Sequence, residues 1–493
     1  MPQRMMASLI AIGLLAACGD DGGVTPIDAP SIVADPDPDP DRTAALALLG
    51  VPCADQPSAV YQARTPPSPW TAAQRGTIAA CAFDRKVTVE ELRAHFTTEG
   101  VPPATITTGA YKLRIAYWTE RNPGEPILTS GALYLPETRR GAPSPLVVAG
   151  HGSVGSADAC APSREDPSGF QRDFRTQIYP LIGDGWIVLA PDYPGLGTPG
   201  VAVWQFALDE GHAMLDATRA ARNLARAGLL SDRNALVGHS NGGHAALAAQ
   251  SYAQTYGSAG TIDAVVVWAP LWISNAAWGA LISDTGAVLL TPAFMAMTLM
   301  YLDSHLEVFD GATGIADAYL PGKAQQVRDL LESQCWRTLT VAATGAASIG
   351  IATGRDAFTT PFVEQVGDCG LLATCATPLA ASWKTRFAAD RPPPDPTIPI
   401  VLWQGMLDDF LSPGYQQCGI DRLVGQGANL TACIDDGADH SSIPSRSADW
   451  VRLYLAEKLL GGPAPTACTP FSSITPPPGC SVPIANGLTP EDP

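Results

Sequence analysis

Five short runs, at residues 145–149, 186–190, 234–238, 263–268 and 400–403, are apolar at nearly every position, and stretches of helical periodicity separate most of them. A strand with no polar face is buried on both sides, which requires helices on both sides of its sheet. Such strands alternating with helices predict an α/β chain with a mostly parallel central sheet and right-handed crossovers. Residues 210–227 show the helical part: Met214, Ala217, Ala221 and Leu224 recur at spacings of three and four on one face, with arginines on the other. Two more extended runs, 111–118 and 128–135, flank RNPGEP, whose Pro and Gly mark a turn, and read as an antiparallel pair. Between Ala269 and Ile400 the alternation stops for about 130 residues, too many for one crossover. Residues 271–395 are therefore expected to form a largely helical cap inserted between the sixth and seventh strands. The insertion is rich in apolar residues, among them Trp272, Trp278, Phe294, Met295 and Met300. Residues 285–302 carry no charge and approach the length of a membrane span, but Pro292 interrupts them and Asp284 and Asp303 bracket them. Buried cap helices are the expectation, with a lipid-facing lid as the sharper alternative.

A chain of 493 residues that is 46% hydrophobic can bury a large core, so residues 46–270 and 396–460 are read as two parts of one large domain. The formal net charge of -18 leaves no basic stripe to neutralise phosphates and argues against nucleic acid as a partner. Near the start, Arg4 precedes an apolar run over 5–15 that is too short to span a bilayer and reads as an export signal. The run LAAC at 15–18 looks like the lipobox of bacterial lipoproteins, which implies loss of residues 1–17 and lipidation of Cys18. Membrane attachment would then be through the lipid, and Gly19 is compatible with sorting to an outer membrane. Residues 18–45, ending in DPDPDPD, read as an acidic, extended tether.

Setting Cys18 aside leaves ten of the eleven cysteines, an even number in a chain expected to be exported, which favours disulfides. Close spacing pairs Cys53 with Cys81, Cys369 with Cys375, Cys418 with Cys433 and Cys468 with Cys480, leaving Cys160 and Cys335 by elimination. Sequence alone does not choose among the many connectivities. The proline-rich tail over 461–493 would be clipped by its own bridge.

Gly238, His239, Ser240, Asn241 and Gly242 sit where the apolar strand ALVG ends and the helical run GGHAALAAQSYA begins. Strand, sharp turn and helix around GxSxG make a nucleophile elbow, with glycines where neighbouring chains leave no room for a Cβ. A serine hydroxyl needs a histidine to take its proton, and that histidine needs a carboxylate to hold its tautomer. In the order serine, acid, histidine, Asp408 follows the strand IVLWQG with Asp409 as its neighbour and rival, and His440 is the sole histidine after them. Asp439 is chemically suitable but adjacent to His440 along the backbone, and Asp435 and Asp436 read as strand-end charges. Oxyanion donors are expected from the Asn241 N–H and from the loop His151, Gly152, Ser153, with Ser153 preferred and Gly152 close behind. No His, Cys and carboxylate grouping has metal-ligand spacing, so neither metal nor cofactor is expected. His95, His212, His244 and His305 are read as ordinary residues of helices or loops, and His239 as packing within the elbow. GLGTPG at 195–200 formally matches the dinucleotide fingerprint, but Pro194 and Pro199 stiffen it into a loop, read as shaping the entrance to the serine site.

Together these residues resemble the secretory lipase family of the α/β hydrolases. The resemblance rests on HGS, CAPS at 160–163, LAPDYPGLGTPG at 189–200, LDATRAAR at 215–222, GHSNGG, QGMLDDFLSP and GADHSSIP, and spans about residues 90–460. It implies a triad of Ser240, Asp408 and His440, an oxyanion loop at 151–153, and a cap over an acyl-binding pocket. It further implies a carboxylic-ester hydrolase of the lipase kind, acting on acylglycerols through an acyl-enzyme. Ser153 stands where the family's loop carries threonine. A short-chain carboxylesterase or an acyltransferase would use the same triad, and a non-catalytic surface binding protein is the rival from another class.

Overall fold

The chain is described by a computed structural model over residues 39–100, 105–164, 172–272, 275–283, 291–367, 375 and 377–472. The export segment, Cys18, residues 18–38 of the tether, Cys369, Cys480, Asp284 and residues 285–290 of the uncharged stretch lie outside these. Among the described residues nine strands form one sheet: β1 (Ile78–Val87), β2 (Ala110–Glu120), β3 (Pro126–Pro136), β4 (Ser144–Gly150), β5 (Ile187–Pro191), β6 (Leu230–His239), β7 (Thr261–Trp268), β8 (Ile400–Gly405) and β9 (Leu430–Asp435). Their order is β1-β2-β3-β5-β4-β6-β7-β8-β9. The first three strands and the β3–β5 pair are antiparallel, and the rest of the sheet is parallel.

The unbroken apolar runs have the cause expected of them: β4, β5 and β8 are buried at every position. Side chains alternate between the two faces. Leu146, Val148, Leu236, Val265, Val267 and Leu402 share one core with Met214, Ala217 and Ala221 of the helix Ala207–Leu224. Val147, Ala149, Val237, Val266 and Trp403 share the other with Ile178 of the helix Arg172–Gly183 and Val451 and Leu455 of the helix Ala448–Leu460. Between β7 and β8 the helices Asn275–Ser283, Pro292–Phe309, Gly311–Ala318, Lys323–Ser333 and Pro378–Ala389 enclose a third core that includes Trp278, Met297, Tyr301, Trp383 and Phe387. No helix among the described residues is long and apolar enough to cross a membrane.

Two expectations change. The strand β1 was not anticipated, because its polar second half, FDRKV, breaks the apolar pattern; as an edge strand it pairs on one side only, with β2. The insertion accordingly falls between the seventh and eighth strands. The charges of that half are used: Lys112, with a fully buried side chain, reaches Asp84 at 2.9 Å and the Ser163 carbonyl at 3.0 Å. Burial alone would raise the Asp84 carboxyl, but Lys112 and Arg114 outweigh it and hold the group below its ordinary value.

Disulfides join Cys53 to Cys81, Cys160 to Cys335 and Cys433 to Cys468. The last replaces both the Cys418–Cys433 and the Cys468–Cys480 expectations, and Cys418 is disulfide-bonded elsewhere. Spacing misleads here because a sheet intervenes. Cys433 belongs to the core under the helix Ala448–Leu460, whereas the helix Pro413–Gly425, which carries Cys418, sends Ile420 and Leu423 into the opposite core. The tail is thereby tied to β9, where the Ile434 N–H donates to the Thr469 carbonyl and the Phe471 N–H to that of Ala432.

On the helix Ala207–Leu224, Asp216 is buried and accepts from Thr119 Oγ1, Tyr256 OH and Arg219 Nη1, each at 2.7 Å. Burial dominates these bonds and pushes its pKa from 3.8 up to about 6. The folded state thus holds this proton more tightly than the unfolded chain. The resulting stability is fully present below about pH 4 and is lost as pH rises through about 6. Asp216→Asn cannot ionise. Urea unfolding at pH 4 and pH 7 should show the stability gap between wild type and variant moving in the variant's favour by about 2 kcal/mol. A gap that stays constant would contradict the burial argument.

Candidate active site

β6 ends at His239 and the helix Asn241–Tyr252 begins two residues on, so Ser240 alone makes the turn. Its backbone sits at φ 56°, ψ −121°, a conformation that costs a non-glycine residue on the order of 1–3 kcal/mol. Hydrogen bonds hold it there. The Ser240 N–H donates to the Trp268 carbonyl at 2.9 Å, and the Ser240 carbonyl accepts from the N–H groups of Gly243, His244 and Leu271. The glycines are required by contact: a Cβ on Gly238 would lie 1.8 Å from the Gly242 oxygen, and one on Gly242 would lie 2.1 Å from the Gly150 oxygen.

Asp408, in the loop after β8, is buried, and its Oδ2 lies 2.8 Å from His440 Nδ1. Its Oδ1 accepts from the Phe410 N–H at 3.0 Å and the Leu411 N–H at 2.7 Å, which aims the carboxylate inward. Asp409 is exposed on the wall of the cavity. Asp439 is occupied within its own turn, accepting from the Ser442 N–H at 2.8 Å, and Asp435 pairs with Arg446 at 2.7 Å. Because an ionised carboxylate only accepts, His440 Nδ1 carries the hydrogen and Nε2 is left with a lone pair. His239 lies with its ring centroid 4.5 Å from that of His440.

Ser240 and His440 line one cavity of about 380 Å³, together with Gly152, Ser153, Phe410, Trp336 and Arg337. Among the described residues the N–H groups of Asn241 and Ser153 find no acceptor. Gly152 passes close to the serine: a Cβ there would sit 3.5 Å from Ser240 Cβ. His151 is buried, stacked on Tyr193 at 4.3 Å, and bonded through its ring to the carbonyls of Gly152 and Asp192. The Asp192 carboxylate in turn takes the Ser163 N–H at 2.8 Å and the Ser130 hydroxyl at 2.6 Å, so CAPS and PDYPG brace the loop from behind. Among the described residues no group of His, Cys and carboxylates could hold a metal ion.

Solved structures share this architecture. A rice cell wall degrading esterase, LipA from Xanthomonas oryzae, superposes with a TM-score of 0.57 at 20% identity, over 78% of this chain and 99% of that one. A putative hydrolase from Legionella pneumophila gives 0.59 at 15% identity, over 77% and 99%. Candida antarctica lipase A in its closed state gives 0.57 at 16% identity, over 82% and 87%. The fold is that of an α/β-hydrolase. Within it, residues 168–277 match the family model described as Secretory lipase. That segment contains Ser240 and Asn241 but neither the HGS loop nor Asp408 and His440. No match to a curated protein sequence was found.

Several cavity residues had no sequence signal. Trp336 and Arg337 come from the insertion, and the one hint was the neighbouring Cys335, whose bridge to Cys160 ties the insertion to the loop after β4. The Trp336 N–H donates to the Val154 carbonyl at 2.8 Å beside that bridge. The glycine-rich loop at 195–200 adjoins the serine site: Leu196 lines a small cavity with Gly152, Ser153 and Asn241, while Gly195 and Gly200 line another of about 550 Å³. There a Cβ on Gly195 would meet the Val201 carbonyl at 2.4 Å, so its glycines serve a tight loop.

The Cys160–Cys335 bridge joins positions 175 residues apart, and removing such a link costs about 2–5 kcal/mol. The double variant Cys160→Ser, Cys335→Ser should melt at a lower temperature and lose ester turnover below its melting point, because Trp336 and Arg337 are released together. Full turnover in the folded variant would show that the bridge does not shape the cavity.

Proposed function

We propose that the chain is a serine carboxylic-ester hydrolase, a lipase acting on acylglycerols through an acyl-enzyme. The single observation that carries this reading is the 2.8 Å contact between buried Asp408 and His440, which lines one cavity with the strained Ser240. Ser240 Oγ attacks the acyl carbonyl while His440 Nε2 takes its proton, and Asp408 stabilises the imidazolium that results. The oxygen of the tetrahedral intermediate receives the Asn241 and Ser153 N–H groups, for which the described residues supply no acceptor. His440 returns the proton to the departing alcohol. A water then attacks the acyl-enzyme with His440 again as base, and the carboxylic acid leaves.

The match of residues 168–277 to Secretory lipase supports export and an ester or lipid substrate. In this reading residues 1–17 are a signal peptide, and Cys18 is lipidated and anchors the protein at the outer membrane of a bacterial envelope. Residues 46–270 and 396–460 work as one catalytic domain, with 271–395 as its cap, and the acidic tether links that domain to the anchor. A second reading, a short-chain carboxylesterase, is favoured by the cavity itself. At about 380 Å³ it lies towards the small end of ligand sites, so a small ester fits the site as it stands.

Ser240→Ala should abolish hydrolysis of p-nitrophenyl butyrate and labelling by a fluorophosphonate; retained turnover would sink the assignment. Asp408→Asn should lower kcat by about 10⁴-fold because the wrong imidazole tautomer is then favoured, whereas Asp409→Asn should stay close to wild type. Equal losses in the two aspartate variants would mean that the acid is misassigned. A series of esters from butyrate to palmitate, with and without an oil interface, separates the two substrate readings.

A further inference from the structure

Behind Ser240 lies a buried chain of polar groups that the triad does not use. Glu210, on the helix Ala207–Leu224, accepts at Oε1 from Asn241 Nδ2 at 2.9 Å and from the Gln205 N–H at 3.1 Å. Its Oε2 faces His244 Nδ1 at 2.6 Å. The other ring nitrogen of His244 lies 2.6 Å from the Asp390 carbonyl oxygen. Glu210, Asn241 and His244 are each about 1% exposed. A carbonyl only accepts, so His244 Nε2 must donate, and the contact with Glu210 then shares one proton between a carboxylate and an imidazole. Burial pulls the His244 pKa down, but the Glu210 charge and hydrogen bond, with help from Asp390, outweigh it and leave the group above its ordinary value.

A buried ion pair is a weak source of stability, because desolvation offsets the attraction. What this pair supplies is geometry. Glu210 bridges the first and fourth residues of the helix that starts after the nucleophile. It also holds Gln205, a non-glycine residue at φ 59°, whose side chain donates to the Leu271 carbonyl at 2.8 Å. The Leu271 N–H donates in turn to the Ser240 carbonyl at 2.9 Å. Two routes therefore run from one carboxylate to the elbow, one through Asn241 and one through Gln205 and Leu271. On its far side the chain reaches the insertion: Asp390 accepts from Tyr301 OH at 2.5 Å and faces His305 Nε2 at 3.3 Å, both on the helix Pro292–Phe309.

We infer that Glu210 is a positioning residue for the oxyanion hole: by gripping Asn241 and His244 it sets the direction of the Asn241 N–H, with the insertion as the outer anchor. This rests on the proposed role of Asn241 as oxyanion donor. Glu210→Ala leaves Asn241 without its partner, while Glu210→Gln keeps an oxygen for Asn241 and can donate to a neutral His244, so it preserves the geometry without the charge.

The test uses p-nitrophenyl butyrate and the full-length protein, with circular dichroism and melting temperature as controls. Glu210→Ala should lower kcat by about 100-fold, as loss of an oxyanion donor does, with KM changed little. Glu210→Gln should restore most of kcat. Asn241→Ala, which removes the amide but keeps the N–H, should reproduce the kcat loss, and the double variant Glu210→Ala, Asn241→Ala should be no worse than Asn241→Ala alone. If Glu210→Ala does not fold, the Gln and Asn241 variants decide the matter. Wild-type kcat in Glu210→Ala, a loss confined to melting temperature, or a Gln variant as impaired as the Ala variant would overturn the inference. A wild-type protein that neither hydrolyses the ester nor reacts with a fluorophosphonate would overturn the functional reading and this inference together, whereas the variant outcomes bear on Glu210 alone.

Discussion

The helix that follows Ser240 starts so close to the ends of β4 and β6 that hydrogen atoms are the only substituents the contact admits. A Cβ at Gly238 or Gly242 would collide with backbone oxygens at 1.8 and 2.1 Å. That approach forces the chain from strand into helix across a single residue, and Ser240 takes the positive φ that the turn demands. A strained backbone persists only when its surroundings over-determine it. Here they do, through three N–H groups on the Ser240 carbonyl and the Trp268 carbonyl on its N–H. The same turn makes the Asn241 N–H the first donor of a helix, with no acceptor among the described residues.

Around that fixed point the other parts arrive from three directions. Asp408 comes from the end of β8 and His440 from the loop beyond β9, strands adjacent in the sheet. The HGS loop follows β4, which lies beside β6 and brings Gly152 against the serine. The cavity wall opposite is built by the insertion, stitched down through Cys160–Cys335 and anchored from behind through Asp390, Tyr301 and His305. The Ser240, Asp408 and His440 geometry is set by the ends of sheet strands, while one wall of the cavity comes from an element whose own core is separate.

Much of this was legible along the chain. Doubly buried strands betray themselves as unbroken apolar runs, so the parallel part of the sheet could be traced, and Ser240 stood out because strand, turn and helix signals converged on it. β1 escaped because an edge strand with charges at its end lacks that signature. Asp408 is preferred over its neighbour Asp409, but residue type alone does not separate them. The loop geometry separates them, turning one carboxylate onto two backbone N–H groups and His440 and the other onto the cavity wall. Glu210 and His244 looked like ordinary helical residues, since nothing in local periodicity records that positions 34 residues apart share a proton.

The amino-acid sequence by itself determined the alternation of elements, the elbow and the set of residues able to do acyl-transfer chemistry, because these depend on local periodicity and on residue type. Only the tertiary structure decided which cysteines pair, which aspartate meets the histidine and what lies behind Asn241. Those depend on which face of the sheet each residue occupies. Cys418 and Cys433 show the reason most plainly: 15 positions apart in the chain, they serve opposite sides of a sheet that no disulfide can cross.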